Sequence, residues 1–174
     1  AFFSSFDYLQ QVAQLLAEKH PGINLWSQSR GMAEAQRQEF LDRFTAEGQG
    51  VGFAVLGGAF GEGIDLPGAR LIGAFIATLG LAQLNPVNEQ FKRRMAALFG
   101  AGYDYTYLYP GVQKVVQAAG RVIRTQQDQG VVMLIDDRFG ESKVKHLLPR
   151  WWSIAPATVQ MDGLSHTSEK QQWM

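Results

Sequence analysis

Val51-Gly52-Phe53-Ala54-Val55-Leu56 is an almost unbroken apolar run, followed at once by Gly57-Gly58-Ala59-Phe60-Gly61-Glu62-Gly63-Ile64-Asp65-Leu66-Pro67-Gly68. A short apolar run bounded by glycines reads as a strand covered on both faces, which calls for a parallel sheet with helices on either side. The loop behind it stands where open α/β sheets place their ligand loops. Its glycines let the backbone turn tightly and present amides, and Asp65 is placed to accept a hydrogen bond from a hydroxyl or an arginine. The simpler reading of the same residues is a strand-to-helix turn with a capping aspartate. No window reads G-x-G-x-x-G, and no Gly-Lys followed by Ser or Thr occurs in the chain, so a self-sufficient phosphate loop is missing.

Upstream, Ala1-Phe2-Phe3 resembles the end of a buried strand, and Ser4 or Ser5 can cap a helix over residues 6–19, where Phe6, Leu9, Ala13 and Leu16 recur at helical steps. Ile23 to Trp26 predicts a short strand, and a second helix runs to about residue 46 with Phe40, Leu41 and Phe44 inward. Downstream, Arg70 to Thr78 predicts a strand, residues 86–99 a helix, 111–125 another helix, and Val131–Asp136 a strand. Tyr103, Tyr105, Tyr107 and Tyr109 alternate, so an extended segment would put four rings on one side, to stack on bases or to cover the sheet edge. Residues 153–174 lack apolar periodicity and are expected as a polar tail behind a single domain over residues 1–152.

Composition narrows the function. The chain has 174 residues, 46% hydrophobic and 18% charged, which suits one folded domain. Its 16 basic and 16 acidic residues cancel, so no overall positive field draws in nucleic acid, and Lys92-Arg93-Arg94 is either a local phosphate contact or a solvated helix face. Cysteine is absent and histidine numbers three, so no metal site is expected and any cysteine-held iron–sulfur cluster would lie outside this chain. No apolar run reaches membrane-spanning length and no secretory signal is seen; the expected setting is cytoplasmic, with no membrane partner.

Gln117-Ala118-Ala119-Gly120-Arg121-Val122-Ile123-Arg124 carries the most chemistry. At about 100° per residue, Gln117, Gly120, Arg121 and Arg124 share one arc of a helix, opposite Val112, Val115, Val116, Ala119 and Ile123. A glycine inside a helix costs about 1 kcal/mol relative to alanine, so Gly120 beside two guanidinium groups points to a ligand approaching the backbone. Arginine keeps its charge and offers a planar fork of donors that suits phosphoryl oxygens. The plainer alternative is that both arginines solvate the outer face of an amphipathic helix.

In order and spacing, Glu62-Gly63-Ile64-Asp65 and the Gln117–Arg124 segment resemble motifs V and VI of superfamily 2 helicases of the DinG/XPD branch. Phe2-Phe3-Ser4-Ser5-Phe6 is similar to that family's motif IV, and Asp136-Asp137-Arg138-Phe139 to the end of its last strand. The resemblance covers residues 2–150 and implies a RecA-like second motor domain: α/β, an open and mainly parallel sheet with helices on both faces. It implies that Arg121 and Arg124 reach the γ-phosphate of ATP, accompanied by Mg2+, held by the first motor domain, with Arg124 the preferred finger and Gln117 sensing that phosphate. Glu62, Gly63, Asp65 and Gly120 would line the same cleft, and Ser4 and Ser5 would touch single-stranded DNA. The whole enzyme would move 5′ to 3′ and act in DNA repair, while this domain alone would be inactive. Ala59 and Gly61 depart from the pattern, since many relatives carry a hydroxyl or larger residue there. A helicase-like binding module without catalysis is the alternative, and a complete small nucleotide-binding enzyme the third reading.

Overall fold

A computed structural model describes residues 1–61, 66–123, 128–161 and 164–172, the last two strands as backbone alone from residue 158 on. The strands β1 (Phe2–Phe3), β2 (Leu25–Ser27), β3 (Val51–Val55), β4 (Gly73–Ile76) and β5 (Val131–Leu134) are joined by helices α1 (Phe6–Lys19), α2 (Glu34–Asp42), α3 (Pro86–Phe99) and α4 (Tyr109–Ala119). A short helix α5 (Ser142–Lys145) precedes β6 (Ile154–Met161) and β7 (Leu164–Gln172). Sheet order is β2-β3-β1-β4-β5-β7-β6, parallel from β2 to β5 and antiparallel beyond. This is the expected open α/β architecture.

Alternation along the central strands sends side chains to two cores. Phe3 and Phe53 point to one face, where α1 lays Leu9, Val12, Ala13 and Leu16 on them. Ala54, Ile76, Val132 and Leu134 point to the other, against α2 at one side and α4 at the other. Helices therefore cover both faces, which is why β3 reads as a continuous apolar run rather than an alternating one.

Local chemistry sets the helix ends. Ser5 caps α1 by accepting a hydrogen bond from the Tyr8 amide at 3.1 Å. Asn85 caps α3 by accepting from the Asn88 amide at 2.8 Å, Pro86 fills the first turn, and Gly100 closes it in the left-handed conformation at φ 69°. These signals lie in the sequence, and both helices have the predicted bounds.

Three expectations are corrected. Residues 103–109 are not extended: Asp104–Leu108 form one π-helical turn leading into α4, closed by the Tyr109 amide bonding the Asp104 carbonyl. The rings consequently meet at helical spacing, Tyr103 with Tyr107 at 5.6 Å and Tyr105 with Tyr109 at 5.2 Å, and Tyr107 is buried while the other three are exposed. Helix α4 stops at Ala119 instead of reaching residue 125, because the Arg121 and Val122 amides take the carbonyls of Ala118 and Ala119 in a tighter three-residue turn. The polar tail expected over 153–174 instead forms β6 and β7, with Val131 opposite Gln172 and Leu134 opposite Glu169. Ladder pairing of backbone groups along the edge of β5 needs no apolar periodicity, which is why the pattern missed it.

Candidate functional site

Parallel strands put all their carboxyl ends on one side, where the chain leaves β1 at Ser4 and β3 at Leu56. Phe3 pairs with Val55, and the Leu56 amide bonds the Phe3 carbonyl at 2.9 Å, so Ser4 leaves β1 beside Leu56 and Gly57. On its other flank the Ala77 amide bonds the Phe2 carbonyl at 2.9 Å, which brings the Thr78–Gly80 turn alongside. From β1 the chain runs toward β2, and from β4 toward β5, in opposite directions across the sheet; crevices at such reversals are the usual ligand sites of open α/β sheets. Ser4 is exposed there, whereas the Ser5 oxygen is engaged in capping α1.

The loop after β3 is built from tight turns. Gly57 takes φ 76°, a conformation that favours glycine. Gly58 and Gly61 close successive turns onto the carbonyls of Val55 and Gly58. A Cβ on Gly61 would come within 2.9 Å of the Gly57 nitrogen, so this turn has no room for a side chain at Gly61 without shifting. Phe60 and Leu66 are both buried in the α2 core, with the Phe60 and Phe40 rings 4.2 Å apart, so the loop is anchored on either side of its acidic stretch. Glu62, Gly63 and Asp65 themselves lie outside the described residues, as does Arg124.

Helix α4 begins at this same edge. Gly111 packs on the turn after β4 so closely that a Cβ would sit 2.7 Å from the Leu79 carbonyl oxygen, and one on Gly80 would sit 2.9 Å from the Gly111 oxygen. From there the helix descends to the amino ends of the strands, where Arg121 leaves it. Arg121 is half-buried and lines a cavity of about 620 Å³ together with Phe2, Phe44, Gly52, Leu71 and Gly73. Gln117 and Gly120 are exposed and do not line it. The single arc expected for Gln117, Gly120 and Arg121 is thus broken by the end of the helix. Gly120 keeps φ −65° and ψ −3°, which any residue adopts, so its backbone does not call for glycine.

Two polar clusters were missed as such in the sequence. Asp136 receives the Arg138 side chain through Nε at 2.8 Å and Nη2 at 2.6 Å, and its Oδ1 also accepts the Arg138 amide at 3.1 Å. Burial works against ionisation of Asp136, but the bonds from Arg138 outweigh it and hold the carboxyl below its ordinary range. Glu89 of α3 accepts from Lys92 at 2.8 Å and from the Tyr107 hydroxyl at 2.8 Å, which likewise lowers its pKa, the Lys92 bond contributing most. The Glu89 cluster ties α3 to the turn before α4, whereas the Asp136–Arg138 pair closes the turn that follows β5. Among the described residues no group of histidine and carboxylate side chains could hold a metal ion, and no helix is long and apolar enough to cross a membrane.

Comparison with known proteins adds the family. The model of the helicase C-terminal domain matches residues 1–155. The protein named "Probable ATP-dependent helicase" in Methanocaldococcus jannaschii is 30% identical over 147 residues, covering 79% of this chain and 22% of the relative. The ATP-dependent DNA helicase CHL1 of Coccidioides immitis is 28% identical over 186 residues, covering 87% of this chain and 21% of the relative. ATP-dependent DNA helicase DinG of Photobacterium profundum is 32% identical over 82 residues, 47% of this chain and 12% of that protein. The chain therefore spans about a fifth of the length of the first two. With its α/β sheet and its motif-bearing loops in the matching order, this chain belongs to the helicase C-terminal domain family.

Proposed function

We propose that this domain is the second motor of an ATP-driven DNA helicase moving 5′ to 3′, and that it completes the nucleotide site of a first motor domain. In this reading Arg121 and Arg124 approach the γ-phosphate of ATP·Mg2+ bound by that partner, and Gln117 responds to the phosphate. Glu62, Gly63, Asp65 and Gly120 face the same cleft, while Ser4 and Ser5 face the single strand. The family match over residues 1–155 is the observation that carries it, since relatives named as ATP-dependent DNA helicases share this domain. The half-buried position of Arg121 adds support, because a guanidinium partly withdrawn from water acts more strongly on a developing phosphoryl charge. Gly120 adds more: neither its dihedral angles nor helix propensity explains it, which suits a ligand passing close to its backbone.

The test is single-strand-stimulated ATP hydrolysis by the full-length protein, comparing wild type with Arg121→Ala and Arg124→Ala. An arginine finger contributes about 10³–10⁵-fold to turnover. A fall of that order with ATP binding retained is expected in at least one variant. Near-normal turnover in both removes the finger assignment and leaves a non-catalytic binding module.

A further inference from the structure

Lys114 is placed by packing rather than by a counter-ion. A Cβ on Gly57 would lie 3.0 Å from its Cδ, 3.1 Å from Cε and 3.4 Å from Nζ, so the side chain rests along the bare Gly57 backbone. Gly57, held at φ 76°, leaves the space that the lysine occupies. Elsewhere Lys92, Arg138 and Lys143 are each tied to a carboxylate, at 2.8, 2.6 and 2.6 Å. Lys114 has no ion pair or hydrogen bond among the described residues, and it is half-buried.

Its setting defines what it can bind. One helical turn separates it from Gly111, which packs on the Leu79–Gly80 turn, so its ammonium stands at the carboxyl edge of the sheet. Ser4 is exposed where β1 ends, and the Leu56 amide bond to the Phe3 carbonyl sets it beside the Leu56–Gly57 backbone on which Lys114 rests. An ammonium without a counter-ion among the described residues, standing over a glycine backbone beside an exposed hydroxyl, suits a tetrahedral oxyanion carrying one charge.

We propose that Lys114 and Ser4 form a phosphate contact for one nucleotide of the single strand, at the carboxyl edge where β1 and β3 end side by side. The proposal rests on the reading of the domain as a DNA motor and adds a residue that the helicase motifs do not include. Because Lys114 lies on the same helix as Gln117 and one turn below Gly111, it would carry the DNA contact into the element that ends two residues before Arg121.

The experiment measures binding of a single-stranded oligonucleotide by the full-length protein across a salt series, for wild type, Lys114→Gln and Lys114→Arg, with thermal unfolding of each to verify folding. Losing one phosphate contact reduces the slope of log affinity against log salt by about 0.7 for single strands. That reduction is expected in Lys114→Gln and not in Lys114→Arg. An unchanged slope in Lys114→Gln overturns the proposal, as does an unchanged slope accompanied by weakened ATP binding, which would put Lys114 in the nucleotide cleft. Absence of single-strand binding in the wild type would instead strike down the DNA reading itself, before any variant is considered.

Discussion

The Tyr107 hydroxyl donates to Glu89 across 2.8 Å, joining the π-helical turn to α3. None of the α3 residues is buried, and Val87, Phe91 and Leu98 on one stripe of it are exposed, so this bond is a principal tether of the helix. Lys92 and Tyr107 lower the Glu89 pKa, in that order, so the folded form binds its proton less readily than the unfolded one. The tether is therefore complete above the ordinary carboxylate range and is lost as pH falls through the lower folded value. Amide exchange of residues 86–99 should accelerate between neutral and acidic pH relative to α1, and Glu89→Ala, which removes the accepting oxygen, should exchange quickly at neutral pH. Equal protection of α3 in both conditions would refute the tether.

Gly111 and the Leu79 carbonyl are in direct contact. Gly111→Ala would drive a methyl group into backbone 2.7 Å away. Overpacking of this kind costs about 1–3 kcal/mol. Urea unfolding of Gly111→Ala, beside Gly140→Ala, whose added Cβ meets nothing within 4 Å, should show a lowered midpoint for the first variant only.

Asp136 both caps the 3-10 turn that follows β5 and binds the Arg138 guanidinium. Losing a cap costs about 1 kcal/mol. Asp136→Ala should lose at least that, and Asp136→Asn, which keeps a capping oxygen, should lose less. Because the folded carboxyl has a depressed pKa, the difference between wild type and Asp136→Asn should shrink as the medium is acidified through the carboxylate range. A difference that grows on acidification would contradict the assignment.

Gly120 separates a structural role from a functional one. Its φ of −65° suits alanine, and an added Cβ would meet only the Val116 and Gln117 carbonyl oxygens at 3.3 and 3.6 Å. Gly120→Ala should therefore leave stability within about 0.5 kcal/mol of wild type. In the proposed cleft it should nevertheless slow ATP turnover, because the methyl group stands where the phosphate passes. Unchanged turnover would mean that nothing approaches this backbone.

Much of this arrangement was legible because local and global signals agree. Ser5, Asn85, Pro86 and Gly100 mark helix ends by chemistry confined to a few residues, and the run Val51–Leu56 reports a strand enclosed on both faces. The tyrosines failed because their spacing satisfies two periods: alternation fits a strand, while the 103/107 and 105/109 pairs fit a helix equally well. The end of α4 was hidden because Val122 and Ile123 continue its apolar pattern, although Val122 is buried from a tighter turn. Of the site, the residue types of the two motifs could be read directly. Nothing in the sequence near Lys114 points to Gly57, since 57 residues separate them and only the return of α4 along the sheet brings them together.

The course of α4 has a mechanical meaning. Its 11 residues amount to about 16 Å of helix, with Gly111 and Lys114 at the carboxyl edge of the strands and Arg121 just past the other end. Val115, Ala118 and Ala119 bed it into the core along its length, which leaves little compliance between its ends. A push at the upper end is delivered to the lower one as displacement instead of being absorbed as bending, so α4 is a connecting rod.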